Sequence, residues 1–320
     1  MKKFFQITKE AASEFFADDA MSLAAALALY TVIALAPLVT VMLTVAGLIF
    51  GDQAAQGFIA QAEGLIGKSG GEAIRGIVEN TDKKSTGTLQ AIVGFLILLV
   101  SASAVFAQLQ TSLNRIWNVI QKPGLGIMHM IKTRLFSMAI VASLGFLLMV
   151  SLGVSTALAA LGSYFQTLAP GMEFLLHVVN FLVAVAVTTV LFGGIFKYLP
   201  DVVIRWREVW IGALVTAVLF NVGQIGLGIY LGNSSTAATY GAAGSFMVLI
   251  LWLYYSTVIL FYGAEWAQVR AKVLGNRLEP APHANRLVVE ARDANDPEAR
   301  AKVTDKSAKA RMRPSGYTRG

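Results

Sequence analysis

Cysteine is absent from the 320 residues, which excludes disulfides, thiolate catalysis and zinc–thiolate sites. Histidine is nearly so: His129, His177 and His283 are the only three, and no H-x-H or HExxH spacing occurs among them. The most telling absence is that of charge. Ala20–Gly51, Ser85–Asn114, Leu135–Met172, Phe174–Phe196 and Val209–Ala264 contain no Lys, Arg, Asp or Glu, although together they make up more than half of the chain. A helix rises about 1.5 Å per residue, so roughly 20 apolar residues cross the hydrocarbon, and each of these stretches is long enough. A soluble core has no use for so many uninterrupted runs. A membrane barrel would alternate apolar and polar residues in short segments, whereas these runs are apolar on every face. The sequence therefore predicts an all-α integral membrane protein.

The last stretch is too long for one crossing, and the small polar cluster Gly232-Asn233-Ser234-Ser235-Thr236 divides it. Six spans result, at Met21–Phe50, Leu89–Gln108, Leu135–Leu161, Phe174–Phe196, Val209–Leu231 and Tyr240–Ala264. The first follows a segment of mixed charge and is about twice the length of a signal-peptide core, so it is expected to stay as a helix. Basic residues alternate in side. Lys2, Lys3 and Lys9 precede the first span; Arg115, Lys122, Lys132 and Arg134 lie in the second loop; Lys197, Arg205 and Arg207 lie in the fourth; Arg270, Lys272 and Arg277 follow the last. The third and fifth loops have none, so both termini are expected in the cytoplasm. This distribution also accounts for much of the net charge of +7, and no nucleic-acid partner is expected from it.

The segments outside the spans carry patterns of their own. Phe4, Phe5, Thr8, Ala11, Ala12, Phe15 and Phe16 recur at helical spacing, so residues 1–20 predict an amphipathic cytoplasmic helix on the inner leaflet that braces the first span. Apolar stripes at Phe58, Ile59, Ala62, Leu65 and Ile66 and at Ala73, Ile74, Ile77 and Val78 predict an external helical hairpin over about 53–82. The six-helix domain is expected to span 21–275. Residues 276–320 are rich in Ala, Arg, Lys, Asp and Pro and poor in large apolar residues, which predicts a disordered cytoplasmic tail. Asp18 and Asp19, at the mouth of the first span, are expected to cap a helix N-terminus.

Polar groups inside the spans are the places to look for function. Glu173, His177 and Asn180 share one face of the fourth span, and Asn221 and Gln224 one face of the fifth. Such groups cannot face lipid unpaired without a cost of several kcal/mol. Two readings stand: ordinary interhelical hydrogen bonding, or a polar path for a headgroup formed by His177, Asn180, Asn221 and Gln224. Arg115, Lys132, Arg134, Arg205 and Arg207 are candidate contacts for anionic headgroups. Pro37 is expected to kink or interrupt the first span, and the glycines of the fifth to permit close packing or a hinge. Glu265, closing the sixth span, is a candidate structural ion pair with Arg115.

Several motifs taken together resemble a family. These are Ala24-Ala25-Ala26-Leu27-Ala28-Leu29-Tyr30-Thr31 with Pro37, Leu113-Asn114-Arg115-Ile116-Trp117, Tyr198-Leu199-Pro200-Asp201, Trp210-Ile211-Gly212-Ala213-Leu214, and Tyr240-Gly241 leading to Leu251-Trp252-Leu253-Tyr254 and Gly263-Ala264-Glu265. In this order, over residues 1 to 270, they resemble the YihY/BrkB family of bacterial inner-membrane proteins. The resemblance implies a six-helix inner-membrane fold and a part in envelope biogenesis or lipid export; the family also carries an old label as a tRNA-processing ribonuclease and a link to virulence. Phosphodiester cleavage needs clustered carboxylates or histidines, or a positioned acid and base, and neither is visible in the sequence. No enzymatic activity, metal or cofactor is expected. The expected role is a transporter of a lipid or other amphiphile, with membrane lipids as partners; the alternative is a non-catalytic scaffold with an envelope protein partner. The oligomeric state is left open.

Overall fold

The computed structural model describes residues 2–50, 71–72, 75–76, 88–122, 172–233, 242–275 and 278–287. The expected span at 135–161 lies outside these residues, as do Lys132 and Arg134. Of the expected outer hairpin only 71–72 and 75–76 are described, and they are helical. The elements run α1 (Lys2–Ala17), α2 (Ala20–Phe50), α3 (Thr88–Ile116), β1 (Val119–Gln121), α4 (Met172–Tyr198), β2 (Val202–Val203), α5 (Trp206–Asn233), α6 (Ala242–Val273), β3 (Glu279–Pro280) and β4 (Ala284–Arg286). The chain divides into a compact unit Met1–Arg286 and a second, Leu287–Gly320, of which only Leu287 is described.

Four helical segments among the described residues are long and apolar enough to cross a membrane: Ala20–Val39, Phe181–Tyr198, Trp206–Gly226 and Phe246–Val273. Large apolar side chains point outward from them, Leu29, Ile33, Leu182, Val222, Ile225 and Met247 among them. That pattern suits lipid as the solvent and not water. The inward faces use small residues. Ala20, Ala24, Ala28, Ala213, Ala217, Ala264 and Ala267 are all buried, so backbones approach closely where dispersion and not hydrophobic exclusion holds helices together. The long α6 is the centre of the bundle: it packs against α1, α2 and α5, while α2 also contacts α3 and α4 contacts α5.

Glycine marks the tightest part of the α5–α6 contact. A Cβ on Gly263 would lie 2.8 Å from Thr216 Cβ and collide outright with Thr216 Oγ1, which is itself fixed by donating to Gly212 O at 2.8 Å. A Cβ on Gly212 would sit 2.5 Å from Ala267 Cβ. The space around Gly226 is open. Gly263→Ala is therefore expected to lower stability by about 1–3 kcal/mol through overpacking, while Gly226→Ala stays within about 0.5 kcal/mol of the parent. Thermal unfolding in detergent reads the difference, and equal midpoints for the two variants would contradict this packing.

Helix α1 is amphipathic as expected, but its apolar face is divided. Ile7, Ala11 and Phe15 are buried; Ile7 and Ala11 pack with Trp266 and Val269 of α6, and Phe15 sets its ring 6.1 Å from that of Tyr262. Trp266 Nε1 donates to Thr8 Oγ1 at 3.3 Å. Phe4, Phe5 and Phe16 remain exposed. The helix thus leans chiefly on the last long helix and less on α2. Its end is set by Asp19, whose positive φ of 55° turns the chain and whose carbonyl accepts from Ser22 N and Leu23 N at the start of α2. Asp19 Oδ1 also accepts from Ser22 Oγ at 2.9 Å. Asp19 thus stands at the N-terminal boundary of α2 with its carboxylate on the Ser22 hydroxyl, while Asp18 turns toward Glu265. Helix α2 runs through the half-buried Pro37 without interruption.

Composition assigns everything after residue 275 to a solvated tail, yet residues 278–286 are built into the compact unit. β1 pairs antiparallel with β4, setting Val119 opposite Arg286 and Gln121 opposite Ala284, and β2 pairs antiparallel with β3. Backbone hydrogen bonds, not a local core, order this strap: Ala281 N donates to Asp201 O at 2.9 Å and Lys122 N to His283 O at 3.0 Å.

Candidate functional site

The most elaborate polar arrangement in the described residues gathers at one end of the bundle, around Asp201. Helix α4 ends at Tyr198 because Pro200 has no N–H and holds the residue before it out of the helical region. Asp201 is thereby turned inward, only 5% exposed. Helix α3 brings Gln110 and Asn114 to it on one face. Asn118, at a positive φ of 53°, then closes α3 and lets the chain reverse into β1, which supplies Gln121. His283 comes from the turn between β3 and β4.

Four side chains meet the Asp201 carboxylate. Oδ1 accepts from Gln110 Nε2 at 3.1 Å and lies 2.9 Å from His283 Nε2; Oδ2 accepts from Asn114 Nδ2 at 2.7 Å and Gln121 Nε2 at 2.9 Å. A carboxylate has about four lone-pair sites, so this one is saturated. Asn114 answers by accepting from Asp201 N at 2.8 Å. An acceptor so fully used has no capacity left for a ligand or for proton transfer. Its chemistry is to fasten three connections, those after α3, after α4 and after α6, to one point.

Beside this knot, the guanidinium of Arg270 on α6 is hydrogen-bonded to Glu208 in the first turn of α5, with both side chains largely buried. A carboxylate in the first helical turn is also favoured by the helix dipole. Outside the knot lies a belt of exposed aromatics and cations. Trp206 stacks on Trp210 with ring centroids 5.7 Å apart, Tyr198 meets Trp206 edge-on at 5.8 Å, and Lys197 Nζ lies 5.7 Å from the Trp206 centroid. Lys197 Nζ also donates to Ile204 O. Arg115, Arg205 and Arg207 are exposed at the same end.

The intramembrane residues fare unevenly. Asn221, 8% exposed, donates through Nδ2 to Thr188 Oγ1 of α4 at 2.9 Å and to Ala217 O at 2.8 Å. Gln224 is half-buried one turn further along α5. His177 and Asn180 sit in α4, but their side chains lie outside the described residues. Glu265 is fully buried, and Arg115 is not its partner. It faces Asp18 instead, because the α1–α2 turn is carried to α6 by the docking of α1; Arg115, exposed, acts on Asp18 and not on Glu265. Asp201, Gln110, Gln121 and His283 were not singled out by the sequence as site residues. Asn114 and Asp201 do stand in two of its quoted motifs, and their meeting was the missing signal.

Among the described residues no three His, Asp or Glu side chains converge in a manner that could hold a metal ion. A sequence model of the family described as "Virulence factor BrkB" matches residues 11–288. A UPF0761 membrane protein of Verminephrobacter eiseniae is 31% identical over 271 residues, covering 81% of this chain and 61% of that protein. UPF0761 membrane proteins of Alkalilimnicola ehrlichii and Psychromonas ingrahamii are 29% and 31% identical, covering 81% and 61% of this chain and 57% and 61% of theirs. The chain thus spans about three fifths of the length of these relatives. No solved structure matches.

Proposed function

We propose a transport reading for this chain, which belongs to the Virulence factor BrkB family of membrane proteins. It crosses the bacterial inner membrane six times with both termini in the cytoplasm, and it moves a lipid or another amphiphile during envelope biogenesis. The observation that carries the reading is the belt at the knot end. Exposed Tyr198, Trp206 and Trp210 suit the headgroup level, and exposed Arg115, Arg205 and Arg207 beside them suit anionic headgroups. A path inward would start there and follow the polar residues of α4 and α5, His177, Asn180, Asn221 and Gln224. The reading is non-enzymatic.

Reconstitution into liposomes containing a labelled anionic lipid tests it. Exchange between leaflets is expected to accelerate, alone or under an ion gradient, and to fall several-fold with Arg205→Ala and Arg207→Ala combined. No acceleration under either condition would remove the transport reading.

One observation favours scaffolding as a second reading. Asn221 meets both its acceptors within the protein, as interhelical glue does, and the strap stiffens the same end of the bundle. A scaffold would yield a stoichiometric envelope partner on cross-linking, and Asn221→Leu would change stability without changing lipid movement.

A further inference from the structure

Where the α1–α2 turn meets α6, buried acceptors outnumber donors. Glu265 is 0% exposed and, among the described residues, neither of its carboxyl oxygens meets a hydrogen-bond donor; Asp18 Oδ2, also buried, meets none there either. The two carboxyls are within hydrogen-bond reach of each other. One turn along the same face of α6, Gln268 is 1% exposed; its Nε2 donates to Ile116 O at 2.5 Å, and its Oε1 meets no donor among the described residues. Next to Ile116 in sequence, the indole N–H of Trp117, a residue 2% exposed, meets no acceptor among them. Unsatisfied polar atoms in a packed interior are rare, and two carboxyls with unmet oxygens facing each other point to a missing partner between them.

The surrounding charges identify that partner. Glu14 on α1 adds a negative field to both carboxyls. Lys272 on α6 acts on both, but it sits at the surface, 3.6 Å from Glu14. Arg115 on α3 acts on Asp18 from an exposed position. The charges of the Arg270–Glu208 pair, between α6 and α5, are engaged with each other. No cation enters between Asp18 and Glu265 among the described residues. A carboxylate wholly out of water against a second, half-buried one disfavours ionisation of both, and a single proton resolves the conflict by turning one acceptor into a donor.

We propose that Asp18 and Glu265 form a proton-binding site, with one proton held between the two carboxyls. The site stands apart from the transport reading, since it requires only that the folded chain hold the proton. It also gives the α1–α2 turn a condition for docking: with the proton present the turn is hydrogen-bonded to α6, and without it two negative charges face each other. Burial, the largest influence, holds the Asp18 carboxyl above its ordinary range. The folded chain then binds the proton more tightly than the unfolded chain. The resulting stability is fully present below the ordinary carboxyl range and is lost as pH rises through the raised value.

Infrared difference spectroscopy on the full chain in lipid nanodiscs tests the site without any transport assay. At neutral pH a protonated-carboxyl C=O band is expected. It should vanish in Glu265→Gln, and in Asp18→Asn it should titrate at lower pH than in the parent because the like-charged neighbour is gone. Adding sodium chloride at constant pH should leave the band in place. Absence of the band in the parent protein, its survival in Glu265→Gln, or its loss on adding sodium would each overturn the proposal, the last by assigning the position to a metal cation. If Glu265→Gln does not fold, the parent titration and Asp18→Asn still decide.

Discussion

Asp201→Ala is expected to lower stability by about 3 kcal/mol or more, a loss large enough to expose the chain to proteolysis in the membrane. The substitution removes the acceptor for Gln110, Asn114, Gln121 and His283 together. Asn114 is buried and cannot turn to water for a replacement. An unsatisfied buried donor costs about 1–3 kcal/mol, so the loss at Asn114 alone is substantial, and the half-buried Gln110 and His283 add to it. The strap should also loosen, because His283 loses its anchor while Ala281 keeps its backbone bond to residue 201. Amide hydrogen exchange reads this directly. Faster exchange at residues 119–122 and 281–286, with α2 and α5 unchanged, is the expected pattern, and uniform exchange across the bundle would mean that the knot does not act locally.

Arg270→Met should be nearly as damaging, at about 3–5 kcal/mol, because Glu208 keeps its charge in a buried place while its guanidinium is gone. The pair itself contributes little beyond what two apolar side chains would. Glu208→Gln combined with Arg270→Met is therefore expected to recover much of the loss, giving a strongly non-additive double-mutant cycle. Additive penalties in a detergent unfolding titration would show that the two residues matter for separate reasons.

The long helices were legible in the sequence because exclusion of charge is a property of whole segments and survives any local exception. The glycines of the fifth span were legible as positions for close packing or a hinge, but only the facing helix separates Gly212, which it meets, from Gly226, which it does not. The strap was not legible. Residues 278–287 hold few large apolar side chains, and order arises there from backbone pairing and from one carboxylate some 80 residues away in sequence. The partner of Glu265 was missed for a related reason. Arg115 is the natural counter-charge when loops are compared by side of the membrane, but the positive φ at Asp19 and the docking of α1 on α6 bring a second carboxyl there instead. Sequence spacing reports which face of a helix a residue occupies; it does not report which distant turn will cover that face.

The strap also sets an order of events during synthesis. Gln110, Asn114 and Asp201 leave the ribosome well before His283, and the strands that join β1 to β4 and β2 to β3 close only after α6 has been made. Helices pair early because their contacts are local, whereas these stitches span long stretches of chain. Residues made after the last long helix are thus the ones that lock the earlier loops, so a nascent chain stalled before residue 278 would carry its bundle with one end unfastened.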